Sequence, residues 1–287
     1  MNKPVAHPTF VLQLSCEDRP GIVAAITARL ADLGTNIAES SQYRDPASNR
    51  FFMRIAFAAT LGSAAAIEDG LRPVVQRFNM ETTLLDRKRR PKMVIMVSKF
   101  DHAMLHLLYQ IRVGWLDADV VAIISNHDDS RETAEWVGVP YHLLPVDKHT
   151  KRQQEESVLS VVEATGADLA VLARYMQVFS DDLARRLFGK VINIHHSFLP
   201  SFKGARPYHQ AFEHGVKLIG ATAHYVTADL DEGPIIEQET ERVWHGMSAE
   251  DFVAAGRDIE SRVLARAVKR HLEGRVMLNG RRTVVFA

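Results

Sequence analysis

The sequence predicts an α/β protein in two parts: a ferredoxin-like βαββαβ domain over residues 1–86 and, after a linker at 87–92, a doubly wound, mostly parallel sheet over 93–287. Three observations predict it. The chain opens with a strand, helix, strand, strand, helix, strand rhythm; wholly apolar short runs then alternate with helical stretches; and a basic, proline-containing segment separates the two patterns. Short apolar runs between helices mark parallel strands that are covered on both faces.

In the first part, Phe10 to Leu14 reads as a strand. Pro20 opens a helix whose apolar residues Ile22, Val23, Ile26, Leu30 and Leu33 recur at spacings of three and four, and Gly34 ends it. Arg50 to Ala58 is strand-like, Ser63 caps a helix running towards Phe78, and Met80 to Leu85 closes the sheet. The junction Asp86-Arg87-Lys88-Arg89-Arg90-Pro91-Lys92 is basic, but no aromatic platform accompanies it, so it reads as a solvated linker and not as a nucleic-acid patch.

Composition narrows the function classes. Lysine plus arginine and aspartate plus glutamate both number 35, so no overall charge calls for nucleic acid or an anionic membrane. The lone Cys16 excludes an internal disulfide, the opening MNKPVAHPTF lacks the apolar core of a signal peptide, and no run approaches membrane-spanning length. A cytoplasmic protein is the expectation.

In the second part, Val94-Ile95-Met96-Val97 is an apolar strand followed by a helix over 102–113. Val120 to Ile124 and Leu169 to Leu172 are further strands, the latter after a helix over 152–165. The first strand-to-helix turn, Ser98-Lys99-Phe100-Asp101-His102-Ala103, has no glycine and carries an acid, so it is no phosphate cradle. A strand-like stretch at 240–244 precedes a helix capped at Ser248, with Gly274 just beyond its end and a small terminal strand over 282–286.

The chemistry concentrates between Val191 and Gln238. A buried strand, Lys190 to Ile194, breaks at His195-His196 into a turn-rich loop; a second strand, Leu218 to Val226, runs into Thr227-Ala228-Asp229-Leu230-Asp231-Glu232-Gly233-Pro234. If the strands are neighbours, Asn193 and His195 face a carboxylate. An amide, an imidazole and a carboxylate without a serine or cysteine nucleophile suit acyl chemistry by polarisation and proton transfer. Taken singly, each has a plain structural role: a strand-end amide, a packed loop histidine, a turn-capping aspartate. Several histidines, His195, His196, His209, His214 and His224, invite a metal, but none form the i, i+4 zinc pair with its glutamate, and adjacent His195 and His196 would point apart if extended.

Asn193-Ile194-His195, the following Leu199-Pro200 and Gly204, and Leu230-Asp231-Glu232-Gly233-Pro234-Ile235-Ile236 resemble the catalytic core of the folate-dependent formyltransferase superfamily. The fuller string from His195 to Ile236 is similar to the branch that hydrolyses 10-formyltetrahydrofolate. That resemblance implies Asn193, His195 and Asp231 as catalytic residues, with no metal and no prosthetic group. Asn193 and a protonated His195 would stabilise the oxyanion, and Asp231 would orient His195 and position water or accept its proton. Ala173-Arg174-Tyr175-Met176-Gln177-Val178-Phe179 resembles the segment lining the superfamily's pterin pocket, so Met176, Gln177, Val178 and Phe179 are expected to bind the folate. Gln177 stands where purine-pathway members often have arginine, and Met176 and Val178 read equally as core packing. A formyltransferase to another amine, or a non-catalytic sensor, are the alternative readings.

Cys16-Glu17-Asp18-Arg19-Pro20-Gly21-Ile22-Val23, with Asn36-Ile37, resembles the signature of ACT domains. Free amides at a helix start and an acid beside them suit the two ends of a free amino acid, so the resemblance implies a regulatory ligand at Asp18, Gly21, Asn36 and Ile37. A helix cap by Asp18 is the plainer alternative. ACT resemblance also implies a homo-oligomer.

Overall fold

A computed structural model of the protein describes residues 9–59, 63–199 and 207–287. Pro200 and Gly204 of the quoted string lie outside the described residues. The described residues form two compact units.

The first unit runs through Arg90 and includes Glu273–Asn279 and Val284–Ala287. It contains β1 (Phe10–Glu17), α1 (Ile22–Asp32), β2 (Thr35–Asp45), β3 (Arg50–Ala59), α2 (Ala64–Phe78) and β4 (Glu81–Asp86). The sheet order is β2-β3-β1-β4 with antiparallel neighbours throughout. Ser63 accepts the Ala66 amide and so caps α2.

Strand alternation in β3 explains why the end of the chain belongs here. Phe51, Met53, Ile55 and Phe57 share a core with Ile22, Ile26 and Leu30 of α1 and with Ile67 and Leu71 of α2. Between them, Phe52 turns to the other face and packs with Val284 and Phe286. On that face the buried Arg54 pairs with Glu39 at 3.0 Å and donates to the Glu273 carbonyl at 3.1 Å. The sequence pattern assigns the whole tail to the second part; the apolar residues on both faces of β3 call for cover, but nothing local identifies the tail as what supplies it.

The second unit comprises the described residues of Pro91–Leu272 with Gly280–Thr283. Its elements are β5 (Lys92–Val97), α3 (His102–Arg112), β6 (Asp119–Ser125), α4 (Arg131–Val137), β7 (Tyr141–Leu143), α5 (Lys151–Thr165) and β8 (Leu169–Leu172). There follow α6 (Asp181–Arg186), β9 (Val191–His195), α7 (Pro207–Glu213), β10 (Leu218–Tyr225), β11 (Ile235–Arg242) and α8 (Ala249–Leu272). Two short strands, β12 (Val276–Asn279) and β13 (Arg282–Val285), end the chain.

The order β11-β10-β9-β8-β5-β6-β7 has β5 to β9 parallel, with β10 and β11 antiparallel at one edge. The chain builds outward from β5 to β7, then crosses back through α5 to β8 on the other side of β5. That reversal opens a crevice beyond the carboxyl ends of β5 and β8. Strand β11 begins at Ile235, before the stretch at 240–244 that reads as strand in the sequence, because pairing with β10 already starts at His224 opposite Ile235. The short α4, β7, α6 and α7 carry too few residues for a legible periodicity.

Candidate active site

Asn193 and His195 alternate on β9 and therefore share a face. Antiparallel register sets His224 of β10 opposite Asn193 and Thr222 opposite His195. His224 is buried, 2% exposed; its Nδ1 donates to the Tyr225 carbonyl at 2.9 Å, leaving Nε2 to accept the Asn193 amide N–H at 3.3 Å. The amide thus has a fixed orientation.

The loop after β10 folds back over this face. The Val226 amide donates to Val191 O at 3.0 Å, and Gly233 lies so close that a Cβ there would stand 1.7 Å from Tyr225 O. Asp231 adopts a left-handed backbone, φ 58°, which places its Oδ2 3.2 Å from His195 Nδ1 and its Oδ1 3.7 Å from His224 Nε2. Burial favours a neutral carboxyl, but the hydrogen bond from His195 and the neighbouring His224 ring outweigh it and hold Asp231 well below the usual carboxylate range. With Nδ1 turned to Asp231, His195 keeps a buried Nε2 that has no hydrogen-bond partner among the described residues.

Asn193, His195, His224 and Asp231 line a cavity of about 710 Å³. Its opposite wall is the segment after β8, where Met176 and Val178 are 55% and 49% exposed and Gln177 is half-buried. Such exposure excludes the core-packing reading for Met176 and Val178. Phe179 is buried against Tyr175 and helps to support the wall. Ser98, at the end of β5, pins this segment: its amide donates to Arg174 O at 3.2 Å and its hydroxyl accepts from the Met176 amide at 2.9 Å. The glycine-free turn therefore serves as an anchor.

Sequence reasoning missed the partners that hold these groups. His224 stood only among candidate metal ligands; its strand register with Asn193 was the signal available. Arg174, His196, Glu260, Tyr208 and His102 form a further cluster beside the site, and the last three come from α8, α7 and α3, too far apart in sequence to be paired. The condition under which His195 and His196 would point apart, an extended backbone through both, is not met: β9 ends at His195, the backbone turns, and the rings stack with centroids 4.9 Å apart.

In the first unit, Asp18 forms an ion pair with Arg44 at 2.7 Å and makes no side-chain cap at α1, whose N-cap is Gly21 in a left-handed conformation. Asn36 is exposed at the start of β2, while Ile37 packs against the helix-side core. Among the described residues no group of three or more His, Cys, Asp or Glu side chains is placed to hold a metal ion, and no helix is long and apolar enough to cross a membrane.

Residues 91–268 match the Formyl transferase family and residues 10–69 the ACT domain family. The chain is 50% identical to a formyltetrahydrofolate deformylase of Corynebacterium sp. (strain P-1) over the whole of both proteins. It is 45% identical to one of Bacillus subtilis (strain 168), covering 96% of this chain and 93% of the relative. A crystal structure of the formyltetrahydrofolate deformylase from Burkholderia mallei superposes with a TM-score of 0.94 at 50% identity, covering 98% of this chain and all of the other. Agreement over both units and the full length, with the polar site lying inside the matched region, makes the chain a member of the formyltetrahydrofolate deformylase family.

Proposed function

We propose that this chain hydrolyses 10-formyltetrahydrofolate to formate and tetrahydrofolate, with Asn193, His195 and Asp231 as its catalytic residues. One observation carries the assignment of roles: His195 offers a buried, unpartnered Nε2 to the cavity while Asp231 holds its Nδ1. An imidazole so arranged is a general base, and the carboxylate stabilises the imidazolium that forms. The open apolar wall of Met176 and Val178 suits the flat pterin ring.

In the reaction, the Asn193 amide donates to the formyl oxygen. Water attacks the formyl carbon as His195 Nε2 takes its proton, and the carbonyl pair moves onto oxygen, where the amide stabilises the charge. Collapse restores the carbonyl, breaks the bond from carbon to N10, and returns the proton from His195 to N10; the formic acid so formed gives its own proton to solvent and leaves as formate. His195 thus acts as base first and, once protonated, as the charge-assisted donor.

The formate so produced feeds one-carbon and purine metabolism in the cytoplasm. The ACT-like unit holds a free amino acid at Asp18, Gly21, Asn36 and Ile37, with Arg44 already on Asp18, and chains associate through these units as a homo-oligomer. Purified protein in amine-free buffer should release equimolar formate and tetrahydrofolate. Absence of release with folate binding intact would overturn the hydrolase reading.

A further inference from the structure

Beside the site lies a polar cluster that the hydrolysis described above does not use. Arg174 and His196 line the cavity next to His195. Arg174 has a left-handed backbone, φ 65°, a conformation disfavoured for arginine that persists only where the surroundings impose it. They do so here through both hydrogen bonds of Ser98 and through the side chain. The guanidinium Nη1 donates to His196 Nδ1 at 2.6 Å, and Nε lies 3.4 Å from Glu260. Glu260 is 1% exposed and receives His102 Nε2 and the Tyr208 hydroxyl, each at 2.9 Å. The Tyr208 ring rests on α8 one turn earlier, at Gly256, where a Cβ would stand 2.2 Å from it.

We propose that Arg174 and His196 are specificity-determining residues that select water, and reject amines, as acceptor of the formyl group. The proposal rests on the hydrolase reading above and explains how that reaction excludes its rival. Arginine has no hydrogen-bond acceptor, and the only free lone pair of the His196 ring is used by Arg174, so the ring proton sits on Nε2. Burial, with Arg174 and His195 nearby, pushes His196 down to about 4, so it stays a neutral donor. The Arg174 and His196 side chains therefore present N–H donors and no lone pair to the cavity.

Water and an amine meet such a wall differently. Water has two lone pairs: one attacks the formyl carbon while the other accepts a hydrogen bond from the wall, and a proton goes to His195. A neutral amine has one lone pair, which the attack consumes. An N–H group turned to this wall would face donors and stay unpaired, a penalty that makes the amine the poorer nucleophile. Glu260, held from behind by His102 and Tyr208, pairs with the guanidinium without offering an acceptor to the cavity, because it is buried and is not part of the cavity lining.

The test is a partition of products. Wild type, Arg174→Gly, Arg174→Gly combined with Glu260→Gln, and His196→Ala would each turn over 10-formyltetrahydrofolate with excess glycinamide, measuring formylglycinamide against formate. Glycine suits the left-handed backbone, and the double variant removes the charge that the single one leaves less well paired. The amine reaction balances as the hydrolysis does: nitrogen bonds to the formyl carbon and gives its proton to His195, which passes it to N10 as the bond from carbon to N10 breaks. The expected result is a product ratio at least about tenfold above wild type in the Arg174 variants. A ratio unchanged in variants that still release formate would overturn the proposal, and so would loss of all turnover in every variant, since a selecting element is separable from the reaction. Formate release by the wild type without amine checks the underlying hydrolase reading separately.

Discussion

Asp231 Oδ2 lies 3.2 Å from His195 Nδ1, so the carboxylate fixes the imidazole tautomer and leaves Nε2 as the base. Asp231→Asn keeps the shape but can present its amide to Nδ1 and favour the wrong tautomer. Turnover should fall by about 10²- to 10⁴-fold, the range of general base catalysis, with KM for the folate little changed. His195→Ala should cost a similar factor, and the two together little more than either, because they act as a unit. Steady-state kinetics of the three variants, with circular dichroism to confirm the fold, checks this; additive losses would contradict the pairing.

The cavity wall separates binding from chemistry. Val178 is half exposed beside the polar residues, and Val178→Asp would set a charge against an apolar ring. KM should rise by about tenfold or more, since desolvating a carboxylate costs more than an apolar contact returns. Stability should be nearly unchanged because the side chain is not core. Folate-analogue titration by fluorescence, paired with a thermal melt, distinguishes this from unfolding.

The legibility of the sequence differs sharply between these groups. Asn193, His195 and Asp231 are visible because a strand end and a turn-rich loop concentrate polar residues within one stretch, and the ordered apolar runs announce the doubly wound sheet. His224, whose register opposite Asn193 fixes the amide, sits in an apolar strand and looks like packing. Glu260 is hidden more deeply. It lies on α8 among Ile259, Val263 and Leu264, and a carboxylate buried there acquires its meaning only from His102, Arg174 and Tyr208, which the fold brings from three other segments. The return of Val284 and Phe286 to Phe52 is likewise a long-range pairing with no local periodicity to signal it.

Gly233 has no room for a side chain against Tyr225 O, and Asp231 is two residues before it. Gly233→Ala must push the loop away from β10 and carry the carboxylate with it. A displacement of about 1 Å suffices to cost on the order of 10²-fold in turnover. Turnover should therefore drop far more than the melting temperature. A variant with normal turnover would show that the loop does not position Asp231.

Stability should weaken on mild acidification because the fold buries neutral imidazoles. His271 on α8 is largely but not wholly buried, with the Tyr225 hydroxyl 2.7 Å from its Nδ1, and desolvation lowers it from 6.5 to about 4. A histidine with a lowered folded pKa binds its proton more readily when unfolded. Its contribution is therefore complete above about pH 6.5 and is lost as pH falls from there towards 4, by up to on the order of 3 kcal/mol. His196 titrates in the same direction. Urea unfolding at pH 7.5 and pH 5 should show the loss, and His271→Gln, which has no proton to gain, should be less stable at the higher pH yet lose less between the two. An equal loss in wild type and variant would place the acid sensitivity elsewhere.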